Sequence, residues 1–150
     1  MAVSNIIKKR IGRELLEWVH LGMKTGMRKG VADYRRLVTE GRTVDAVYAI
    51  KRAVDLPHRA RARINEAIAK YTQATIVECI GLALPSGVTL AELNADLTAQ
   101  EAYAQTLVNH RLVDGWTWDQ IATNIETNVE LEEVRWQFPF PAGYLDVWGE

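Results

Sequence analysis

The sequence predicts an all-α domain, a multi-helix bundle, followed by a short extended or β C-terminal arm. Apolar residues recur at spacings of three and four along most of the chain, the period of an amphipathic helix. Several Thr residues are followed three positions later by Glu or Gln, the pattern that caps helix N-termini. The last residues are instead rich in aromatics and interrupted by proline. We therefore expect a helical domain over residues 1–128 and an extended aromatic arm over residues 129–150.

Three helices are predicted before residue 55. The first covers residues 5 to 27, where an apolar stripe is interleaved with charged residues. Gly30 and Gly41 delimit a short second helix, because glycine often marks a helix end. A third helix is expected to begin near Thr43. The apolar stripes of the three helices are formed by Ile7, Ile11, Leu15 and Trp18, by Tyr34, Leu37 and Val38, and by Val47, Ile50 and Val54.

The segment Asp55–Pro57 predicts the start of a fourth helix, because proline is favoured in a first turn where its missing N–H costs nothing. This helix is expected to run to Leu84. From Ala74 onward it is apolar nearly all round, so we expect its second half to be the most buried segment. Cys79 is predicted to be a buried, inert thiol. Glu78 must then be paired, protonated or turned towards an interface.

Three capping boxes predict the remaining helices. They are Thr89 with Glu92 for a helix over 90–95, Thr98 with Glu101 for 99–113, and Thr117 with Gln120 for 118–128. The hydrophobic core is expected to centre on Ile64, Ile68, Val77, Ile80, Leu107, Leu112, Ile121 and Ile125.

The predicted arm begins with a short stretch in which apolar and charged residues alternate, a pattern typical of extended chain. Further on, Pro139 and Pro141 exclude a regular helix. Large aromatic side chains are not left in water, so the arm either folds back over its own helices or inserts into a groove on a partner. We favour the partner. The aromatic residues that would make this contact are Trp136, Phe138, Phe140, Tyr144 and Trp148.

Charge is divided sharply between the two halves of the chain. Residues 1–75 hold 16 of the 18 Lys and Arg but 7 of the 19 Asp and Glu, which gives about +9 for this half and −10 for the rest. Such a division calls for an opposite charge nearby: nucleic acid, another protein, or the unlike half of a neighbouring copy. Head-to-tail contacts between unlike faces generate closed rings.

A run of basic residues lies within the predicted third and fourth helices. It is either a solvated face that docks the acidic half or a surface that contacts nucleic acid. Residues 115–136 also resemble a helix-turn-helix, but the second helix would present several glutamates, which phosphates repel. The candidate electrostatic or nucleic-acid face consists of Lys51, Arg52, Arg59, Arg61 and Arg63.

Catalytic patterns are missing from the sequence. His20, His58 and His110 lie far apart and none belongs to a metal-binding motif, while Cys79 has no histidine nearby in sequence. We therefore expect a protein that is not an enzyme and that holds no metal or cofactor. No apolar run reaches the ~18 residues of a membrane span, and a single cysteine fits a reducing compartment, so we expect a cytoplasmic location with no membrane partner.

A compact helical domain of this size, with an aromatic C-terminal arm and a basic-to-acidic division, resembles the head-to-tail adaptor (connector) proteins of tailed bacteriophages. The resemblance covers the fold class and the arm. It implies a structural assembly protein that forms homo-oligomeric rings in the neck of the virion, after assembly in the host cytoplasm. The arm would bind a portal-like or other virion protein, and the ring's channel would pass DNA without reading its sequence. The alternative is a nucleic-acid-binding helical protein that uses the Lys51 to Arg63 region.

Overall fold

A computed structural model describes residues 4–84 and 88–128 of the 150-residue chain. Over these residues the secondary structure is entirely helical, which confirms the all-α prediction. The predicted arm, residues 129–150, lies outside the described residues. The helices are α1 (Asn5–Gly22), α2 (Lys24–Thr39), α3 (Thr43–Tyr71), α4 (Gln73–Ala83), α5 (Leu90–Leu112) and α6 (Trp118–Thr127).

Two of the three predicted capping boxes begin helices. The Thr89 hydroxyl accepts a hydrogen bond from the Glu92 amide at 3.2 Å and starts α5. Thr117 and Gln120 form the full reciprocal box at the start of α6. The third prediction is wrong, because the Thr98 hydroxyl donates to the Asn94 carbonyl at 2.8 Å inside one continuous α5. A mid-helix threonine commonly makes this bond to the preceding turn.

The expected first helix over residues 5 to 27 is divided in two. Met23 adopts an extended backbone conformation (φ −84°, ψ 174°) between α1 and α2. Gly26 belongs to this corner, since a Cβ there would collide with the backbone of Leu21. Gly30 does not delimit a helix as predicted. It lies within α2, where a Cβ would stand 2.5 Å from the Cβ of Ala53 on α3, so glycine permits a close approach of the two helices.

The predicted helix start at Asp55–Pro57 is also wrong, because α3 runs through Pro57 to Tyr71. Pro57 is buried against α1, where Gly22 leaves room: a Cβ on Gly22 would stand 3.3 Å from the Pro57 Cα. The break falls instead at Thr72, which has a φ of 98°, an uncommon conformation for a residue with a Cβ. The Thr72 hydroxyl then caps α4 by accepting from the Thr75 amide at 3.3 Å.

Two hydrophobic clusters form the core, and α3 and α5 contribute to both. The first joins α1 and α4 to the second half of α3 and the first half of α5. The second joins α2 and α6 to the opposite halves of the same two helices. The largest fully buried side chains are Leu16, Met27, Ile50, Ile64, Ile76, Ile80, Leu93, Leu97, Leu107, Ile121 and Ile125.

The expectation that residues 74–84 are the most buried segment is wrong. One face of α4 packs into the first cluster through Ile76 and Ile80, while Val77 on the other face is 49% exposed. Leu112, also predicted for the core, is 77% exposed. Cys79 is buried as predicted, and burial raises the pKa of its thiol. Glu78 is turned outward and paired with the Lys8 ammonium at 2.6 Å.

Candidate binding groove

An open groove of about 1040 Å³ lies between α3 and α5, with the start of α6 at one side. Its lining combines aliphatic and aromatic side chains with a set of cations. From α3 the lining residues are Val47, Tyr48, Lys51, Arg52, Val54, Asp55, His58 and Arg59. From α5 they are Glu101, Ala104, Gln105, Val108, Arg111 and Leu112, and from α6 they are Trp118 and Ile121.

Helical periodicity places these residues together. On each of the two long helices the lining residues recur at spacings of three and four, so they form one stripe along the helix surface. At one end of the groove α3 and α5 are joined by an ion pair, in which the Arg61 guanidinium donates to the Glu101 carboxylate at 2.9 Å. At the other end the indole of Trp118 is part of the wall.

The indole of Trp118 is contacted by two cations. The guanidinium carbon of Arg111 lies 4.1 Å from the ring centroid, and the Lys51 ammonium lies 5.9 Å from it. Arg111 also donates to the Trp116 carbonyl at 2.8 Å. These contacts fix the turn between α5 and α6, and they hold positive charge beside an aromatic surface.

The same turn contains a stacked ring pair. The imidazole of His110 lies parallel to the indole of Trp116, with centroids 4.2 Å apart. The His110 Nδ1 atom is 2.7 Å from the Asp114 carboxylate, one helical turn further on. The α5–α6 turn is therefore held by side chains on both sides, which gives the adjoining end of the groove a defined shape.

Positive charge predominates in the groove. Four cationic side chains line it, against the two carboxylates of Asp55 and Glu101, so its net charge is +2 with His58 neutral. Asp55 lies 3.7 Å from the Arg59 guanidinium. Glu101 is already engaged by Arg61, and its hydrogen bonds to Arg61 and His58 lower its pKa.

The structure brings together three of the five predicted basic residues: Lys51, Arg52 and Arg59 all line the groove. Arg61 does not line the groove but is bonded to the lining residue Glu101 at one end of it. Arg63 belongs to a different surface, since its guanidinium stands 4.9 Å from the Trp18 ring centroid and 3.6 Å from the Glu66 carboxylate.

Among the groove residues that the sequence did not reveal are the partners of one cation–ring contact. Arg111 and Trp118 lie on α5 and α6, far along the chain from the basic run of α3, and no local pattern connects them to it. The predicted aromatic contacts of the arm, Trp136, Phe138, Phe140, Tyr144 and Trp148, lie outside the described residues.

A second basic surface, on α2, is covered by α6. The Arg35 guanidinium donates to Glu126 at 2.7 Å, to Thr123 at 3.1 Å and to Asp119 at 3.4 Å. The Tyr34 hydroxyl donates to Asp119 at 2.6 Å. Burial and this hydrogen bond to a carboxylate raise the pKa of Tyr34 to about 12. At this α2–α6 interface the basic half of the chain meets its own acidic half.

The described histidines are dispersed. His20 lies on α1, where burial lowers its pKa, whereas His58 lines the groove and His110 lies in the α5–α6 turn. Across residues 4–84 and 88–128 no three His, Cys, Asp or Glu side chains are grouped so as to hold a metal ion. None of the helices in these ranges combines the length and apolar character needed to cross a bilayer. Comparisons with protein families, curated proteins and solved structures yield no match.

Proposed function

We propose that the protein is a non-enzymatic assembly protein, an oligomeric ring adaptor that joins portal to tail in the neck of a phage virion through its C-terminal arm. The observation that carries this proposal is the α3–α5 groove, which is open, partly apolar and net positive. The same chain ends in a segment rich in carboxylates and aromatics. A binding surface and a segment of complementary character in one chain support self-association.

The groove has the composition of a peptide-binding surface. Tyr48 is 59% exposed and Leu112 is 77% exposed, so large apolar side chains face solvent beside cations. Exposed apolar surface with a polar rim is typical of interaction sites.

The aromatic part of the arm, residues 136–150, would then bind the portal-like protein. Its five large aromatic side chains are of the kind that dominates interface energies, where a central anchor contributes about 2 kcal/mol or more. Because the arm would act between chains, its removal should leave the helical domain folded.

A truncation after Gln137 tests this proposal. We expect its circular dichroism spectrum and melting temperature to match those of the full chain, and electron micrographs of both to show rings of one diameter. Rings of the truncated chain should fail to cosediment with the portal protein of the encoding phage, while full-length rings cosediment. A truncation that melts the helical domain would show that the arm covers its own core, and the proposal would be wrong.

One observation favours the alternative, a nucleic-acid-binding protein. Cations beside an aromatic ring, as at Lys51, Arg111 and Trp118, also suit single-stranded nucleic acid. Against it, Asp55 and Glu101 place carboxylates in the same groove. Fluorescence anisotropy with labelled single-stranded and duplex DNA discriminates the two functions. We expect no micromolar binding at physiological salt, whereas salt-sensitive binding abolished by Arg59→Glu would replace the adaptor proposal.

A further inference from the structure

We propose that the α3–α5 groove of one copy binds the first part of the arm, residues 129–135, of a second copy. These residues are called the arm base below. The inference rests on the proposed function in one respect, that the arm acts between chains. It goes further by assigning the acceptor surface and by separating two parts of the arm, a base that joins subunits and an aromatic part that binds another virion protein.

The arm base and the groove match in charge. The segment has the sequence VELEEVR, with three glutamates and one arginine, and so carries a net charge of −2. The groove carries +2, with Lys51, Arg52, Arg59 and Arg111 as its cations. Hydrogen bonds between guanidinium groups and carboxylates are short and about twice as strong as neutral ones. The net charges of the arm base and the groove would therefore cancel on binding.

The apolar residues match as well. An extended chain directs alternate side chains to opposite sides, so Val129 and Leu131 would face one way and Glu130 and Glu132 the other. The groove offers aliphatic side chains between its cations, among them Val47, Val54 and Val108. An extended segment can place its apolar side against these residues while long Lys and Arg side chains reach its carboxylates.

The position where α6 ends argues for a second copy over the same chain. Near that end, Asn124 accepts a hydrogen bond from the Tyr103 hydroxyl at 2.6 Å. Tyr103 projects from the side of α5 away from the groove, because the lining residues Ala104 and Val108 occupy the other side. The end of α6 therefore lies on the side of α5 away from the groove.

The path around α5 to the chain's own groove is long for a segment of seven residues. A helix with its side chains is about 10–12 Å across, and an extended residue covers about 3.3 Å. Two extended residues beyond Asn128 cover at most about 7 Å, less than the width of α5. Most of the arm base would be used on the way. Donor and acceptor thus lie on different sides of the subunit, an arrangement that makes head-to-tail contacts and closes into rings.

Charge exchange between full-length variants tests the inference. The groove variant carries Lys51→Glu and Arg59→Glu, at two exposed positions where the fold should tolerate the change. The arm variant carries Glu130→Lys and Glu132→Lys. A control carries Lys9→Glu and Arg10→Glu, the same change of charge at exposed positions on α1, which contributes no residue to the groove. Sedimentation velocity and native mass spectrometry measure association.

We expect the control to assemble like the unchanged chain, and the groove and arm variants alone to associate at least tenfold more weakly. An equimolar mixture of the two should recover assembly, with both variants alternating in one particle, because each unlike pair restores an attractive contact. Failure of the mixture to recover would overturn the inference.

Two further outcomes separate this inference from the proposed function. If the arm variant assembles normally while the unchanged chain forms rings, the arm base is not the contact, and the inference fails although the adaptor proposal survives. If the unchanged chain is a monomer and a chain with both sets of changes is too, both proposals fail.

Discussion

Two basic surfaces of the N-terminal half, one on α2 and one on α3, differ in what covers them. On α2 the cation Arg35 is engaged by Asp119 and Glu126 of α6, from the acidic half of the same chain. On α3 the cations Lys51 and Arg59 line an open groove of about 1040 Å³. The same kind of charge is thus paired with a neighbouring helix at one surface and lines an open groove at the other.

A charge division along a sequence does not by itself identify an interface. Part of it holds the domain together, since Arg61 with Glu101 and Lys8 with Glu78 also join the basic half to the acidic half. Another part lines the groove, where cations outnumber carboxylates and apolar side chains are exposed.

The largest expected effect comes from reversing one charge on each surface. Arg35→Glu replaces four hydrogen bonds at the α2–α6 interface by repulsion from Asp119 and Glu126, and we expect a loss of about 2 kcal/mol in the free energy of unfolding. For a domain of this size that lowers the melting temperature by about 4–8 °C. The matched change Arg59→Glu should stay within about 0.5 kcal/mol of the unchanged chain. Thermal denaturation measures both variants. Equal losses of stability in Arg35→Glu and Arg59→Glu would contradict the difference between the two surfaces.

A second, smaller effect concerns the close approach of α2 and α3. In Gly30→Ala the new Cβ would stand 2.5 Å from the Cβ of Ala53, so the helices must separate, at a cost of about 1–2 kcal/mol. Gly81→Ala on the outer face of α4 is the control, because no atom lies within 4 Å of the added Cβ. It should stabilise the domain by about 0.5–1 kcal/mol. Urea denaturation checks both, and destabilisation by Gly81→Ala would show that α4 has a partner on that face.

The third effect depends on pH. Tyr34 has a pKa raised to about 12 in the fold, against about 10 when unfolded, so the neutral form is favoured in the folded state. The stabilisation that this pKa difference supplies is complete below pH 10 and is lost as pH rises through 12. At pH 11 the free energy of unfolding has fallen by about 1.4 kcal/mol.

Urea denaturation at pH 8 and pH 11 measures this loss. Tyr34→Phe should be less stable at pH 8, because the hydroxyl no longer bonds to Asp119, yet should lose less stability than the unchanged chain between the two pH values. Burial also raises the pKa of Tyr103. Because Tyr103 is present in both proteins, its contribution to the pH dependence cancels in the difference. Parallel losses in the two proteins would mean that Tyr34 is not held at the α2–α6 interface.

The helical class and several helix ends could be predicted from sequence because they depend on local chemistry. Apolar periodicity and the capping residues Thr89 and Thr117 act within one turn of the chain. Pro57 misled the prediction, since its place inside α3 depends on space that Gly22 leaves on another helix. The break at Thr72 likewise has no sequence signal such as glycine.

The groove was predictable in part for the same reason. Lys51, Arg52 and Arg59 lie close together on one helix, so a local pattern found them. Arg111 and Trp118 join them only through packing of α5 and α6 against α3, which no spacing in the sequence records. Val77 and Leu112 were predicted for the core from their apolar character alone. Both are exposed, because the packing of the helices leaves their faces uncovered.

The mass of the native particle at low and high salt tests the central claim most directly. If the groove of each copy holds the acidic arm base of the next, sedimentation should show one oligomer of defined size at low ionic strength. That oligomer should dissociate as salt rises, because charge pairs at a surface are screened beyond about 8 Å at physiological ionic strength and at shorter distances above it. A monomer at every salt concentration would contradict the account, and so would an oligomer whose mass does not respond to salt.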